Sequence, residues 1–164
     1  LGNTSSAISE YKRVLSQKPH DTTILRLLAE LYIDQDNVEA AKNLYDQAIY
    51  HYKALAGAAG QSFGWSDINI YVELYAYLGQ YDDAIGALKS LSRWVLGRQE
   101  DSWWDQVVND DREWDADDAR RLQVHDYVPG RFELQLYGEG LPLELRVKLG
   151  LYRLRLGNFD EAMV

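Results

Sequence analysis

Leu78-Gly79-Gln80-Tyr81-Asp82-Asp83-Ala84 returns as Leu156-Gly157-Asn158-Phe159-Asp160-Glu161-Ala162. An earlier version, Leu1-Gly2-Asn3-Thr4-Ser5-Ser6-Ala7, opens the chain. A worn copy, Gln35-Asp36-Asn37-Val38-Glu39-Ala40-Ala41, lies between. Glycine closes one helix because it alone enters the left-handed region without cost, and a polar turn then starts the next. The phrase therefore punctuates a helix–turn–helix repeat, an architecture that builds binding scaffolds more often than enzymes.

The spacing of the copies names the repeat. Ala7 and Ala41 stand 34 residues apart, as do Tyr11 and Tyr45, and Val14 and Ala48. Ala-x3-aromatic-x2-small at that period is the second helix of a tetratricopeptide repeat. Pro19 falls where that helix must stop, since proline lacks the N–H that would continue it. In the first helix of the next unit, Leu25, Leu28, Ala29 and Tyr32 form one buried stripe at i, i+3, i+4, i+7. Tyr71, Val72 and Tyr75 take that frame later, followed by Leu149 and Gly150. Ala29 and Gly150 are small, which predicts close helix approach. Arg153 breaks the pattern where an aromatic is expected, with Tyr152 as its stand-in. The expected fold is all-α: a tetratricopeptide-repeat superhelix with an acidic, Trp-rich insertion.

Composition narrows the classes. With 164 residues, 46% of them hydrophobic, the chain can bury a substantial core. Cysteine is absent, which excludes disulfides and thiolate metal sites. No run of apolar residues is long enough to span a bilayer. The chain opens on a turn and second helix and stops shortly after another begins, so it reads as an internal fragment of a longer array. The expected organisation is repeats over 1–96, an insertion over 97–140, and the start of a further repeat over 141–164. Ala41 and Ala84 stand 43 residues apart, so a longer connection is expected near 54–64, where glycines weaken any helix, with a lengthened helix through 52–56 as the alternative.

The second interruption is larger, with Ala84 and Ala162 separated by 78 residues. A worn repeat with Ala119 in frame competes with an insertion, which the foreign composition favours. Residues 100–118 hold nine acidic side chains and one basic, Arg112, within a chain of net charge −9. The rest of the chain is thus near neutral. Trp103, Trp104 and Trp114, three of the five tryptophans, lie in the same window. Solvated acidic loops are poor in aromatics, so this segment has something to dock on. Either Trp103 and Trp104 pack it onto its own scaffold while the carboxylates face water, or it regulates or binds a partner. The residues singled out for those roles are Trp103, Trp104, Asp110, Asp111, Arg112, Glu113 and Trp114.

Little here suggests catalysis. Asp111-x-Glu113-x-Asp115-x-Asp117 lacks the glycine and terminal glutamate of a calcium loop. His20, His51 and His125 share no metal-ligand spacing. Gly138-x-Gly140 reads as a turn, and no nucleotide or hydrolase motif occurs. No enzyme activity and no cofactor is expected. Phosphate backbones call for clustered Lys and Arg, and most cations here have acidic neighbours. Arg146, Lys148, Arg153 and Arg155 are the one group whose spacing suggests a basic face.

Three phrases are more particular than the repeat: Trp103-Trp104-Asp105, Asp110-Asp111-Arg112-Glu113-Trp114-Asp115, and Leu141-Pro142-Leu143-Glu144-Leu145-Arg146-Val147-Lys148-Leu149-Gly150-Leu151. Together they resemble the tetratricopeptide subunit of general transcription factor IIIC, its fungal members above all. The resemblance implies a nuclear scaffold that helps recruit transcription factor IIIB for RNA polymerase III transcription. Its implied partners are the TFIIB-related and B-double-prime subunits of transcription factor IIIB and other subunits of transcription factor IIIC. Little direct DNA binding by this segment, and no membrane, is implied. First helices of such repeats line a groove, where the frame puts Arg26, Glu30, Asp34, Asn69, Glu73, Tyr77 and Arg155 at partner-binding positions. Val147, Leu151 and Leu154 take outward positions in the last unit. A co-chaperone or generic assembly scaffold that binds peptide segments is the alternative; Glu30 and Glu73 would repel the carboxylate that a co-chaperone clamp holds.

Overall fold

A computed structural model describes residues 2–19, 21–54 and 63–163. Its described residues form seven α-helices and no strand: α1 Gly2–Gln17, α2 Thr22–Asp34, α3 Val38–Ala54, α4 Trp65–Tyr77, α5 Tyr81–Val95, α6 Leu143–Arg155 and α7 Phe159–Ala162. Most of the longer connection expected near 54–64 lies outside the described residues. Two compact units divide the chain, Leu1–Gly79 and Gln80–Val164.

In the first unit α1 packs on α2, α2 on α3, and α3 on α4. The stripe Leu25, Leu28, Ala29 and Tyr32 is buried, and meets Ala41, Tyr45, Ala48 and Ile49 of α3. Ile68, Tyr71, Val72 and Leu74 of α4 complete the core. Burying each Leu or Ile contributes about 1.5–3 kcal/mol. Asp21 caps α2 by accepting the Ile24 N–H at 3.2 Å, satisfying one of the orphan donors of a helix start. Two polar ties cross the core's edge. The Arg26 guanidinium donates twice to Asp67, at 2.9 and 3.0 Å. Tyr71 of α4 donates its hydroxyl to Asp46 of α3.

In the second unit α6 packs directly on α5 and on α7. Residues 96–142 between them contain no α-helix, only short 3-10 turns at Ser102–Gln106, Arg112–Trp114, Arg121–Gln123, Leu134–Leu136 and Gly138–Gly140. Ala119 therefore occupies a turn and not the second helix of a worn repeat. Trp104, Trp114, Val124, Tyr137 and Leu141 of this segment are buried, as are Leu88 and Leu91 of α5 and Leu145 and Leu149 of α6. Gly138 lets the segment close on itself. A Cβ there would run into the carbonyl oxygens of Trp114 and Asp115, so only glycine fits this approach.

The recurrent phrase has a common geometry. Gly79 and Gly157 adopt φ of 75° and 77°. After α6, the Asn158 N–H donates to Arg153 O at 2.8 Å and Gly157 N–H to Leu154 O at 3.1 Å. That crossed pair is the Schellman closure of a helix. The worn copy keeps it without glycine: Asp36 sits at φ 58°, and Asn37 donates to Tyr32 O. Leu96-Gly97 closes α5 the same way, with Gly97 at φ 83° and Arg98 N–H on Arg93 O at 2.7 Å. The punctuation thus extends to the head of the acidic stretch. Gly150 lies near α7: a Cβ there would sit 3.7 Å from Ala162 O, an ordinary contact, so alanine fits as well as glycine.

A left-handed residue with a Cβ costs about 1 kcal/mol. Gly79→Ala should lower the stability of the chain by about that amount, and Asp36→Gly should raise it by up to ~1 kcal/mol. Urea unfolding checks both; an unchanged midpoint for Gly79→Ala would count against the turn assignment.

Candidate functional site

The acidic stretch is held by two cations of α5 and one at its own head. Lys89 and Arg93 stand one helical turn apart on α5, and Arg98 follows the Gly97 turn. All three are buried. Glu113, 0% exposed, accepts from Arg93 at 2.6 Å and from Arg98 at 3.0 Å. Arg98 also donates to Asp101 at 3.1 Å and to the Leu136 carbonyl at 3.0 Å. Arg93 reaches Asp105 as well. Lys89 pairs with Asp111 at 3.2 Å and donates to the Asp110 carbonyl at 2.7 Å.

α6 supplies the other clamp. Arg153 donates to both oxygens of Asp111, at 2.8 and 2.7 Å, and to the Val108 carbonyl at 2.6 Å. The departure from the repeat pattern at Arg153 thus has a cause: the guanidinium occupies an inward position and holds the acidic segment there. Glu161 of α7 accepts the Asp111 backbone N–H at 3.0 Å. Arg112 folds back onto Asp110, its closest approach 2.6 Å.

The tryptophans are part of this network. Trp104 is fully buried and its indole N–H donates to Asp101 at 2.9 Å. Trp103 is half-buried, stacks on Trp104 with centroids 4.3 Å apart, and donates to the other Asp101 oxygen at 3.0 Å. The Arg98 guanidinium lies 4.0 Å from the Tyr137 ring centroid and 5.4 Å from that of Trp114, within cation–π range.

One expectation is therefore corrected. The carboxylates of Asp101, Asp111 and Glu113 do not face water; they point inward to buried cations. Burial of an unpaired carboxylate is prohibitive, whereas a fully hydrogen-bonded pair is tolerated. Burial pushes the Glu113 carboxyl up to about 7, against the pull of Arg93, Lys89 and Arg98. The basic face read from Arg146, Lys148, Arg153 and Arg155 is also divided. Arg153 is buried, and Arg146 donates to the carbonyls of Leu141 and Gly138.

The groove positions fare unevenly. Arg26 is committed to Asp67, which is 0% exposed. Tyr77 is exposed, with its hydroxyl 3.5 Å from Asp36. Glu30, Asp34 and Glu73 are exposed, and Asn69 is half-buried. These six share the first unit, while exposed Arg155 belongs to the second. Sequence reasoning missed Lys89, Arg93 and Arg98. Their signal was present: Lys89 and Arg93 alternate with Leu88, Leu91 and Ser92 on α5, where an apolar stripe is expected. Among the described residues no cluster of His, Asp or Glu is arranged to hold a metal, and no helix is long and apolar enough to cross a membrane.

Helix pairs at this period, closed by left-handed turns, are the fold of tetratricopeptide repeats, and the tetratricopeptide repeat family matches residues 1–59. The chain is similar along nearly all its length to fungal tau subunits. Transcription factor tau subunit sfc4 of Schizosaccharomyces pombe is 33% identical over 98% of the chain. Transcription factor tau 131 kDa subunit of Saccharomyces cerevisiae is 25% identical over 99% of it. The chain spans 16% and 20% of the length of these two relatives.

Two predictions follow from the pinning. Removing one partner of a buried pair costs about 3–5 kcal/mol. Arg153→Met should therefore raise protease cutting within 97–140. Equal cutting of Arg153→Met and wild type would contradict the clamp. Glu113 supplies the second. Its folded value of about 7 lies above the ordinary 4.5, so the folded chain binds this proton more tightly than the unfolded chain. That contribution is complete below about pH 4.5 and is lost as pH rises through about 7. The stability advantage of wild type over Glu113→Gln should shrink over that window in urea titrations, and a gap independent of pH would refute the assignment.

Proposed function

We propose that the chain is a non-enzymatic, protein-binding part of a transcription factor IIIC scaffold that helps recruit transcription factor IIIB for RNA polymerase III transcription in the nucleus. Its similarity to two fungal tau subunits over 98% and 99% of its length carries this reading. Its partners on this reading are the TFIIB-related and B-double-prime subunits of transcription factor IIIB, and other transcription factor IIIC subunits.

The second unit offers a surface suited to the role. Leu143, Val147, Leu151 and Leu154 of α6 are exposed, Leu143 at 75%. Their spacing places them along one helix face. With Trp114, Asp117 and Arg120 of the acidic segment they line a groove of about 730 Å³. Contiguous exposed apolar surface rimmed by polar groups marks protein interaction sites. On this reading the 97–140 insertion modulates binding by forming one wall of that groove. Direct DNA binding is not favoured, because Lys89, Arg93, Arg98 and Arg153 already neutralise carboxylates of the chain and are unavailable to phosphates.

The test is a pull-down of each purified transcription factor IIIB subunit by this chain and by Leu143→Asp/Leu151→Asp. Capture of at least one subunit, reduced tenfold or more in the double variant, is expected. Failure of both subunits to bind, or capture untouched by the substitutions, would overturn the reading.

A further inference from the structure

The wall opposite the exposed leucines of α6 carries more negative charge than its cations answer. Asp115, Asp117 and Glu161 line it. Arg120 serves two of them at once, 3.3 Å from Asp115 and 3.5 Å from Glu161. Arg146, also in the lining, is turned to the carbonyls of Leu141 and Gly138. Asp111 is already matched by Lys89 and Arg153. Asp117 is exposed and accepts the Ala119 backbone N–H at 2.9 Å, with no cation beside it among the described residues. Two buried polar atoms of this wall have no hydrogen-bond partner among the described residues: Asp115 Oδ2 and the indole Nε1 of Trp114. Burial pushes the Asp115 carboxyl up, and Glu161 and Asp117 add to that push against Arg120 and Arg121. The wall thus lacks a donor, an acceptor and positive charge.

α6 limits the form of the occupant. Leu143 to Leu154 spans about 16 Å, or about three turns, at about 1.5 Å per residue. An extended segment laid on this apolar row would bury backbone N–H and C=O groups without partners, since α6 uses its own within the helix. A second helix arrives with those groups satisfied and meets the row with apolar residues at i, i+3, i+4 and i+7. Its last turn also suits the wall. The final carbonyls of a helix are unpaired, so one of them can accept the Trp114 N–H. Lys or Arg is favoured in that turn and can donate to Asp115 beside Asp117.

We propose that the α6 groove takes an amphipathic helix of a partner protein, apolar along the face that meets Leu143, Val147, Leu151 and Leu154, with Lys or Arg in its last turn set against Asp115 and Asp117. The inference rests on the reading of this groove as the binding surface, and adds the form and charge of what enters it.

Helical peptides of about five turns, randomised along one face and in the last turn and selected by display on this chain, test it. The expected binders are apolar along one face and carry Lys or Arg in the last turn. Their affinity should fall tenfold or more in Leu143→Asp/Leu151→Asp and about fivefold in Asp117→Lys. Both variants change exposed positions, and circular dichroism checks that they fold. Exchanging the peptide's Lys or Arg for Glu should weaken binding to the natural chain and recover it on Asp117→Lys, a recovery that a merely structural effect would not give. Enrichment of no binder, binders with acidic or uncharged last turns, or no recovery on charge exchange would overturn the proposal. Sedimentation of the chain as a dimer, abolished in Leu143→Asp/Leu151→Asp, would make a second copy the occupant and overturn it too. Basic helical binders together with a failed transcription factor IIIB pull-down would keep this inference and reject that partner. Capture of a transcription factor IIIB subunit through a segment that is not helical or not basic would do the reverse.

Discussion

Glu113 between Arg93 and Arg98 is the interaction on which the second unit depends. All three side chains are withdrawn from water, and each accounts for the others. Without the carboxylate, Arg93 would be left to Asp105 and Arg98 to Asp101. Without the guanidinium groups, the acidic stretch would have to return to solvent and draw Trp104 and Trp114 with it. The arrangement links the most charged part of the chain to a helix frame that otherwise runs on apolar packing. A buried ion pair is no efficient source of stability by itself. Here it fixes where a segment without helix or strand must lie, which apolar contacts alone specify poorly.

That constraint explains how a tetratricopeptide frame tolerates so long a departure. α6 packs on α5 although residues 96–142 lie between them in sequence. The segment folds against the helices by returning charge to charge. Asp111 illustrates the economy of the arrangement, since it joins Lys89 of α5, Arg153 of α6 and, through its N–H, Glu161 of α7. Three helices are thus tied through one residue of the connection.

The helices were legible in the sequence because their signals are local. The Leu25, Leu28, Ala29, Tyr32 stripe and the Gly79 and Gly157 turns each require only nearby residues and known periodicity. The acidic segment was legible in composition and not in orientation. Nine carboxylates in a short window suggest a solvated surface until their partners are found, and these include Lys89 and Arg93 of α5 and Arg153 of α6. Arg153 was visible as an exception to the pattern, but its reason sits 42 residues away in Asp111. Arg26 shows the same limit in the first unit: the frame made it a groove position, while its partner Asp67, 41 residues on, was not foreseeable from spacing. Gly138 reads as a turn in sequence, and its close approach to the Trp114 and Asp115 carbonyls appears only in three dimensions.

Amide hydrogen exchange over 100–118 tests most directly whether buried charge pins this segment. The Trp114 N–H donates to Asp111 O at 2.9 Å, and the Val107 N–H to Trp104 O at 3.2 Å. Both should exchange far more slowly than in a free peptide of the same sequence. Their protection should persist in 1 M salt, because buried pairs are screened little. Exchange at the free-peptide rate, or protection that collapses with salt, would contradict the account.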